Sequence, residues 1–338
     1  MTHPHLFHLG AIPPQHVYPK GSRTDATKSL FPALTEMSIS LLTISPKGFR
    51  EPHWHPNAHE LSYCLQGKAL MTIFSPGAGH DSFIIEPGCL AFVPMGYLHH
   101  IQNLGTEDAK FLVCFSDAQS EDINLSSAVG VMPSHVLGST FKLSPSFFEG
   151  LHASVKPSFF AEGVAENHFP NSWDVNRFKK DMEKMQPQIQ SGGGTVRLNN
   201  QSLMPSLEGL TLYSLRLEPK GIREPHWHPN AHELNYVIQG KVRILLLSPD
   251  GKVDDFEMTE GDISFMPRGY FHYIENLDPG VTRMVVFFNH VFPSDIGLSG
   301  CLGAYPNELL AQLFKVPVDY FNRLPKYQED LFVVAGGG

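Results

Sequence analysis

Apolar and polar residues alternate along much of the chain in short runs, the two-residue period of a half-buried strand. Met37–Ile44, Leu210–Leu217, Glu60–Leu65, Ala69–Phe74 and Leu90–Val93 all follow it. Proline and glycine fall between the runs, at Pro76-Gly77, Pro87-Gly88 and Pro94-Met95-Gly96, where turns need a fixed or a positive φ. Many short strands with regular turn signals predict a mainly β protein built as a sandwich or barrel. Helical spacing is confined to a few stretches. Ser144–Leu151 and Asn307–Phe314 carry it, with Pro133 and Pro306 at or before helix starts. A further helix is predicted over Asn171–Met185, leading to the glycine run Gly192–Gly194.

The pattern occurs twice. Pro46–Gly67 reads PKGFREPHWHPNAHELSYCLQG, and Pro219–Gly240 reads PKGIREPHWHPNAHELNYVIQG. His53 and His226, Pro94 and Pro267, Asp122 and Asp295, Pro133 and Pro306, and Phe159 and Phe332 all keep one offset of 173 residues. A constant offset over so much of the chain means two copies of one domain without net insertion. The expected division is residues 1–165 and 166–338. Residues 1–20 have no clear counterpart and are expected to form an arm, with His3, His5 and His8 in solvent.

Composition narrows the partners. The chain has 338 residues, 42% hydrophobic, which suffices for two packed cores. A formal net charge of -9 argues against nucleic acid or an anionic membrane as partner. No apolar run has the length of a membrane span, and the first residues lack the pattern of a signal peptide, so a cytoplasmic location is expected. The cysteines Cys64, Cys89, Cys114 and Cys301 form no CxxC pair, and are expected mostly as small buried hydrophobes.

The candidate chemistry lies in the repeated stretch. Residues two apart on a strand share a face, so His53 and His55 point the same way. Pro56-Asn57-Ala58 bends the chain and brings Glu60 back to that face. Downstream, Gly88, Pro94, Gly96, His99 and Asn103 recur as Gly261, Pro267, Gly269, His272 and Asn276. His53, His55, Glu60 and His99 are therefore predicted as one metal shell, and His226, His228, Glu233 and His272 as another. Three imidazoles and a carboxylate suit Mn, Fe, Co, Ni or Zn. A lone His-x-His is usually no metal site, but the whole set returns in register. His59 and His232 fall out of phase with the glutamates and should lie outside the pocket. His100 is replaced by Tyr273 in the second copy. Trp54 and Trp227 are expected in the core. Arg50 and Arg223 precede each shell and offer a planar fork that suits a carboxylate.

These motifs resemble the cupins. The resemblance implies two double-stranded β-helix, or jelly-roll, barrels in tandem, with flanking short helices. Within cupins the chain is similar to the oxalate decarboxylases, through Arg-Glu-x-His-x-His, His-Trp-His-Pro-Asn-x-His-Glu and Gly-Gly-Thr-Val-Arg at 193–197. That resemblance implies Mn(II) at both sites, dioxygen as co-catalyst, and oxalate converted to formate and CO2. It implies Arg50 and Arg223 against the substrate carboxylate, and a lid glutamate acting as proton carrier. Counting forward from His99 puts Glu121 at that lid position, within Ser120-Glu121-Asp122-Ile123-Asn124, where the family has Ser-Glu-Asn-Ser-Thr. Counting backward from Pro133 puts Gln119 there, because the following stretch is about two residues short. The second copy has Ser294 at this point, so the first copy is expected to be the working site. The alternatives are an oxalate oxidase yielding peroxide and CO2, and a non-catalytic bicupin that holds metal or a small carboxylate. The family also implies a homo-oligomer, a trimer or hexamer; its contacts are expected through apolar barrel faces and the helices around Leu309–Phe314.

Overall fold

The computed structural model describes residues 3–153, 159–163 and 176–337. They form two compact units, one of Ile12–Lys184 with Gln201–Leu210, the other of Met1–Ala11 and Met185–Asn200 with Thr211–Gly338. The expected repeat boundary at 165/166 lies outside the described residues. Each unit is two antiparallel sheets facing one another. In the N-terminal unit one sheet runs Lys179–Asp181, Cys89–Val93, Glu60–Gln66, Ala109–Phe115, Ser38–Ile44, Gly21–Ala26 and His16–Tyr18. The other runs Ile123–Asn124, Gly48–Trp54, His99–Asn103, Ala69–Ser75 and Gly79–Ile85, with Phe160–Glu162 added to Gly48–Trp54. The C-terminal unit repeats this order strand for strand. The alternation read from the sequence fills the space between the sheets: Met71, Ile73, Phe83, Val93, Ile101 and Phe111 are buried in one unit, and Ile244, Leu246, Phe256, Met266, Ile274 and Met284 in the other. Short helices follow each barrel, Ser134–Phe141 in the first and Asn307–Phe314 in the second.

The arm is where the structure departs most from the sequence expectation. Leu6–Phe7 pairs with Ile263 and Ser264, a strand of the C-terminal barrel. Lys179–Asp181 pairs with Cys89–Ala91, the equivalent strand of the N-terminal barrel. The two arms are thus counterparts at the same offset, and each completes the barrel of the other copy. The described part of Asn171–Met185 accordingly holds a strand rather than a helix; residues 171–175 lie outside the described residues. His3 and His5 do not sit free in solvent but share Asp254, at 2.7 and 3.1 Å, and His8 meets Asp262 at 2.7 Å. The Gly-Gly of 193–194 has a packing role. A Cβ on Gly193 would stand 2.0 Å from the Val334 carbonyl oxygen, so only glycine lets these strands meet. Cys64, Cys89 and Cys114 are buried, Cys301 is half-buried, and all four are free thiols. Trp54 and Trp227 are only half-buried, because they flank the short edge strands Ile123–Asn124 and Ile296–Gly297.

Candidate metal centre

His53 and His55 come from the strand Gly48–Trp54 and the turn after it, His99 from the neighbouring strand, and Glu60 from the first residue of a strand in the facing sheet. Arg50 stands three residues before His53, which on a regular strand would put the two on opposite faces. The ladder resolves this. His99 pairs with His53 while Ile101 pairs with Arg50, so the bulge around Glu51-Pro52 adds one residue and turns Arg50 to the pocket side. Pro52, which cannot donate to the ladder, sits where the pairing is broken. His272 with His226 and Ile274 with Arg223 repeat the device.

In each unit the ligand atoms of the four residues lie within 4.8 Å of one another, and all eight side chains are buried. These donors would hold one divalent ion in each unit. The ring orientations fit such an ion. Nδ1 of His53 donates to the Glu51 carbonyl at 2.7 Å, Nδ1 of His99 to the Tyr97 carbonyl at 3.0 Å and Nδ1 of His55 to the Glu121 carbonyl at 3.0 Å. A ring fixed through Nδ1 turns Nε2 inward, as ligating histidines require. The His55 and His99 Nε2 atoms lie 3.0 and 3.1 Å from Glu60 Oε2. The other Glu60 oxygen accepts from Ser62 Oγ at 2.6 Å, and Asn235 Nδ2 does the same for Glu233 at 2.6 Å. Burial, reinforced by Arg50, holds His53 well below its ordinary pKa, which leaves a neutral ring with a lone pair to give. Burial opposes ionisation of Glu60, but His99 and His55 outweigh it and keep the carboxylate charged. Burial also opposes a charged His55, yet Asp122 and Glu60 lift it to about 9.

Arg50 lies inside the N-terminal unit with 2% of its surface exposed, and burial lowers it to about 10. Nη2 donates to Asp122 Oδ2 at 2.9 Å, and Nη1 to Asn124 Oδ1 at 2.9 Å and the Phe159 carbonyl at 3.3 Å. The carboxylate facing the pocket arginine is therefore that of Asp122. Glu121 has an exposed side chain; it contributes its backbone, donating N–H to Asn57 and accepting from His55. Arg223 pairs likewise with Asp295, while Ser294 supplies the carbonyl for His228. Environment separates the two aspartates. Burial would raise Asp122, but His55 and Arg23 dominate and hold it well below the carboxylate range. Burial wins at Asp295 and raises it, despite Arg223.

A further tie was not anticipated. Phe159 and Phe332 both adopt positive φ, 53° and 64°, a costly conformation for a bulky residue. Buried Glu51 holds the first in place. One oxygen accepts from Phe159 N at 3.2 Å and the other from Ser126 N at 2.9 Å, in the first turn of the helix Leu125–Gly130. Glu224 repeats this with Phe332 N and Ser299 N. The Arg50 guanidinium lies 4.3 Å over the Phe159 ring and that of Arg223 3.5 Å over Phe332. Identity of Glu51 with Glu224, and of Asp122 with Asp295, was the available signal. His59 and His232 stand outside the pocket, accepting from Met95 N and Arg268 N, and His100 belongs to neither ligand cluster.

A family model described as cupin matches residues 8–147 and again 181–318. The chain belongs to the cupin family. Among cupins it is 26% identical over 318 residues to oxalate decarboxylase OxdC of Bacillus subtilis, covering 90% of this chain and 81% of that one. It is 25% identical to a probable oxalate decarboxylase of Arthroderma benhamiae, covering 83% of this chain and 72% of that one. A germin-like protein of Arabidopsis thaliana, subfamily 2 member 5, matches 37% of this chain at 29% identity and 61% of its own length. A solved structure of oxalate decarboxylase from Bacillus subtilis superposes with a TM-score of 0.88 at 24% identity, covering all of this chain and 89% of that one. This cupin therefore has two barrels, each with a ligand set at its centre.

Proposed function

We propose that this bicupin binds Mn(II) at both centres and acts as an oxalate decarboxylase, making formate and CO2 at the N-terminal one. The observation that carries the reading is Arg50 buried against a shell of three histidines and one glutamate, in a small cavity lined also by Arg23. The relatives named oxalate decarboxylase along most of the chain support the same substrate. Manganese would supply Lewis acidity and one-electron chemistry, with dioxygen as electron sink. The chain's own part is to bind, orient and move a proton. Arg50 holds the free end of the dianion and stabilises charge there. Oxalate enters as the hydrogen oxalate monoanion; Glu121 accepts its proton, which leaves the bound dianion, and returns that proton to carbon after CO2 leaves. This requires Ser120–Asn124 to turn, releasing Arg50 from Asp122 and bringing Glu121 inward. Arg223 would hold a carboxylate in the C-terminal pocket in the same way.

The outward Glu121 favours one rival, an oxalate oxidase, in which no acid returns the proton. Products decide between them. The manganese-loaded protein, given oxalate in air at mildly acidic pH, should yield formate without peroxide, and Glu121→Gln should lose formate while keeping its metal. Peroxide without formate means an oxidase. Neither product, with metal at both sites, leaves a non-catalytic metal-binding bicupin.

A homo-oligomer, trimer or hexamer, is proposed from the apolar faces outside the barrels. Leu309, Phe314 and Tyr320 are exposed, and so are their counterparts Val136, Phe141 and Phe147. Sedimentation equilibrium should give three or six times the chain mass of 37.6 kDa, and a monomer mass would remove this part of the reading. The four free thiols support a cytoplasmic location.

A further inference from the structure

The two barrels differ at one position that faces both cavities. Arg23 pairs across the sheet with Leu42, and Val196 pairs with Leu215 in the same register. The two residues are thus structural equivalents. Arg23 lines the N-terminal cavity with Arg50 and the ligands His53, His55 and Glu60. Val196 lines the C-terminal cavity beside Arg223. We infer that Arg23 is a second substrate-binding cation, which makes the N-terminal cavity selective for small dicarboxylate dianions and leaves the C-terminal cavity with a single-arginine site. This rests on the reading of the N-terminal centre as a substrate site.

Arg23 is built to present its fork. Its Nε lies 3.0 Å from Asp25 Oδ1, and Asp25 is fixed in turn by Ser40 Oγ at 2.6 Å and His16 Nε2 at 3.1 Å. The second copy has Leu198 and Tyr213 at the positions of Asp25 and Ser40, so the whole support is absent there. The lid shows what the pair of arginines accepts. A single oxygen of Asp122 sits 2.8 Å from Arg23 Nη1 and 2.9 Å from Arg50 Nη2. Two guanidinium groups already converge on one carboxylate oxygen. In the C-terminal unit Asp295 has Arg223 as its arginine partner. A dianion held by one carboxylate near the ligand shell would present the other to both forks once Asp122 swings away. A monoanion has no second carboxylate to present.

The rival account makes Arg23 a structural ion pair with Asp25. Selectivity separates the two, because a structural defect weakens every ligand alike. The full-length manganese-loaded protein is titrated calorimetrically, without dioxygen so that nothing turns over, with oxalate, malonate and acetate. Arg23→Gln should weaken the tighter dianion by roughly 10- to 100-fold, the worth of a charge-assisted hydrogen bond, and acetate by less than about 3-fold. Arg23→Lys keeps a charge beside Asp25 and Asp122, so it should fold and fall between wild type and Arg23→Gln. If Arg23→Gln does not fold, Arg23→Lys decides alone, through the dianion-to-acetate ratio. Oxalate binding unchanged in both variants, or equal loss for all three anions, overturns the inference and leaves the oxalate reading standing. Malonate binding that depends on Arg23, with no oxalate binding, keeps the inference and overturns the oxalate reading. No dianion binding by wild type overturns both.

Discussion

His99→Ala removes one of two bound metal ions per chain and lowers oxalate turnover by roughly 10³-fold or more. His272→Ala removes the other ion and leaves most of the turnover. His99 is fully buried, and its Nε2 sits 3.1 Å from Glu60 Oε2, inside the shell. A shell of two histidines and one glutamate holds the ion far less tightly. The loss of the Lewis acid costs several kcal/mol of barrier lowering, at about 1.4 kcal/mol per tenfold in rate. His272 occupies the same place in a shell next to a pocket lined by Val196 and Asp295, the centre to which the proposed function assigns no turnover. Elemental analysis after desalting, paired with formate release, reads both effects. Equal activity losses in the two variants would make both centres catalytic.

Arg50→Ala destabilises the N-terminal unit and abolishes oxalate binding, while Arg223→Ala destabilises the C-terminal unit at least as much, since Asp295 keeps no second arginine among the described residues, and spares turnover. Removing one partner of a buried ion pair strands the other charge, at a cost of about 3–5 kcal/mol. Asp122 keeps Arg23 at 2.8 Å, so the lower end applies to Arg50. For units of this size each kcal/mol shifts the midpoint by roughly 2–4 °C, so a fall of about 6–12 °C is expected. Arg50→Lys should keep more stability than Arg50→Ala yet lose roughly 10²-fold in kcat/KM. One ammonium cannot serve Asp122, Asn124 and the Phe159 carbonyl while still facing substrate. Differential scanning calorimetry separates the two units, and steady-state kinetics gives the rest. Unchanged kcat/KM in Arg50→Lys would remove Arg50 from substrate binding.

The ligand shells were legible because they are local. His53, His55 and Glu60 lie within eight residues, strand alternation decides their facing, and duplication removes coincidence. The barrel architecture was legible for the same reason. What escaped depends on pairing rather than pattern. Arg50 faces the pocket through a bulge that alternation cannot foresee. Arg23 arrives from a strand 30 residues upstream with no motif around it. Lid position was counted along the chain to Glu121, whereas the carboxylate that reaches Arg50 belongs to its neighbour Asp122. The arm strands are two and three residues long, too short to show a period, and their partners lie in the other copy of the repeat. Asn171–Met185 read as a helix for that reason, since local spacing there is overridden by pairing with Cys89–Ala91.

The most direct measurement of the two-centre account is anomalous diffraction on crystals of protein expressed with manganese, recorded on both sides of the manganese absorption edge. The account predicts two edge-dependent peaks per chain. One should lie within bonding distance of His53, His55, Glu60 and His99, and the other of His226, His228, Glu233 and His272. No edge-dependent peak at either cluster, or manganese bound elsewhere on the chain, would contradict it.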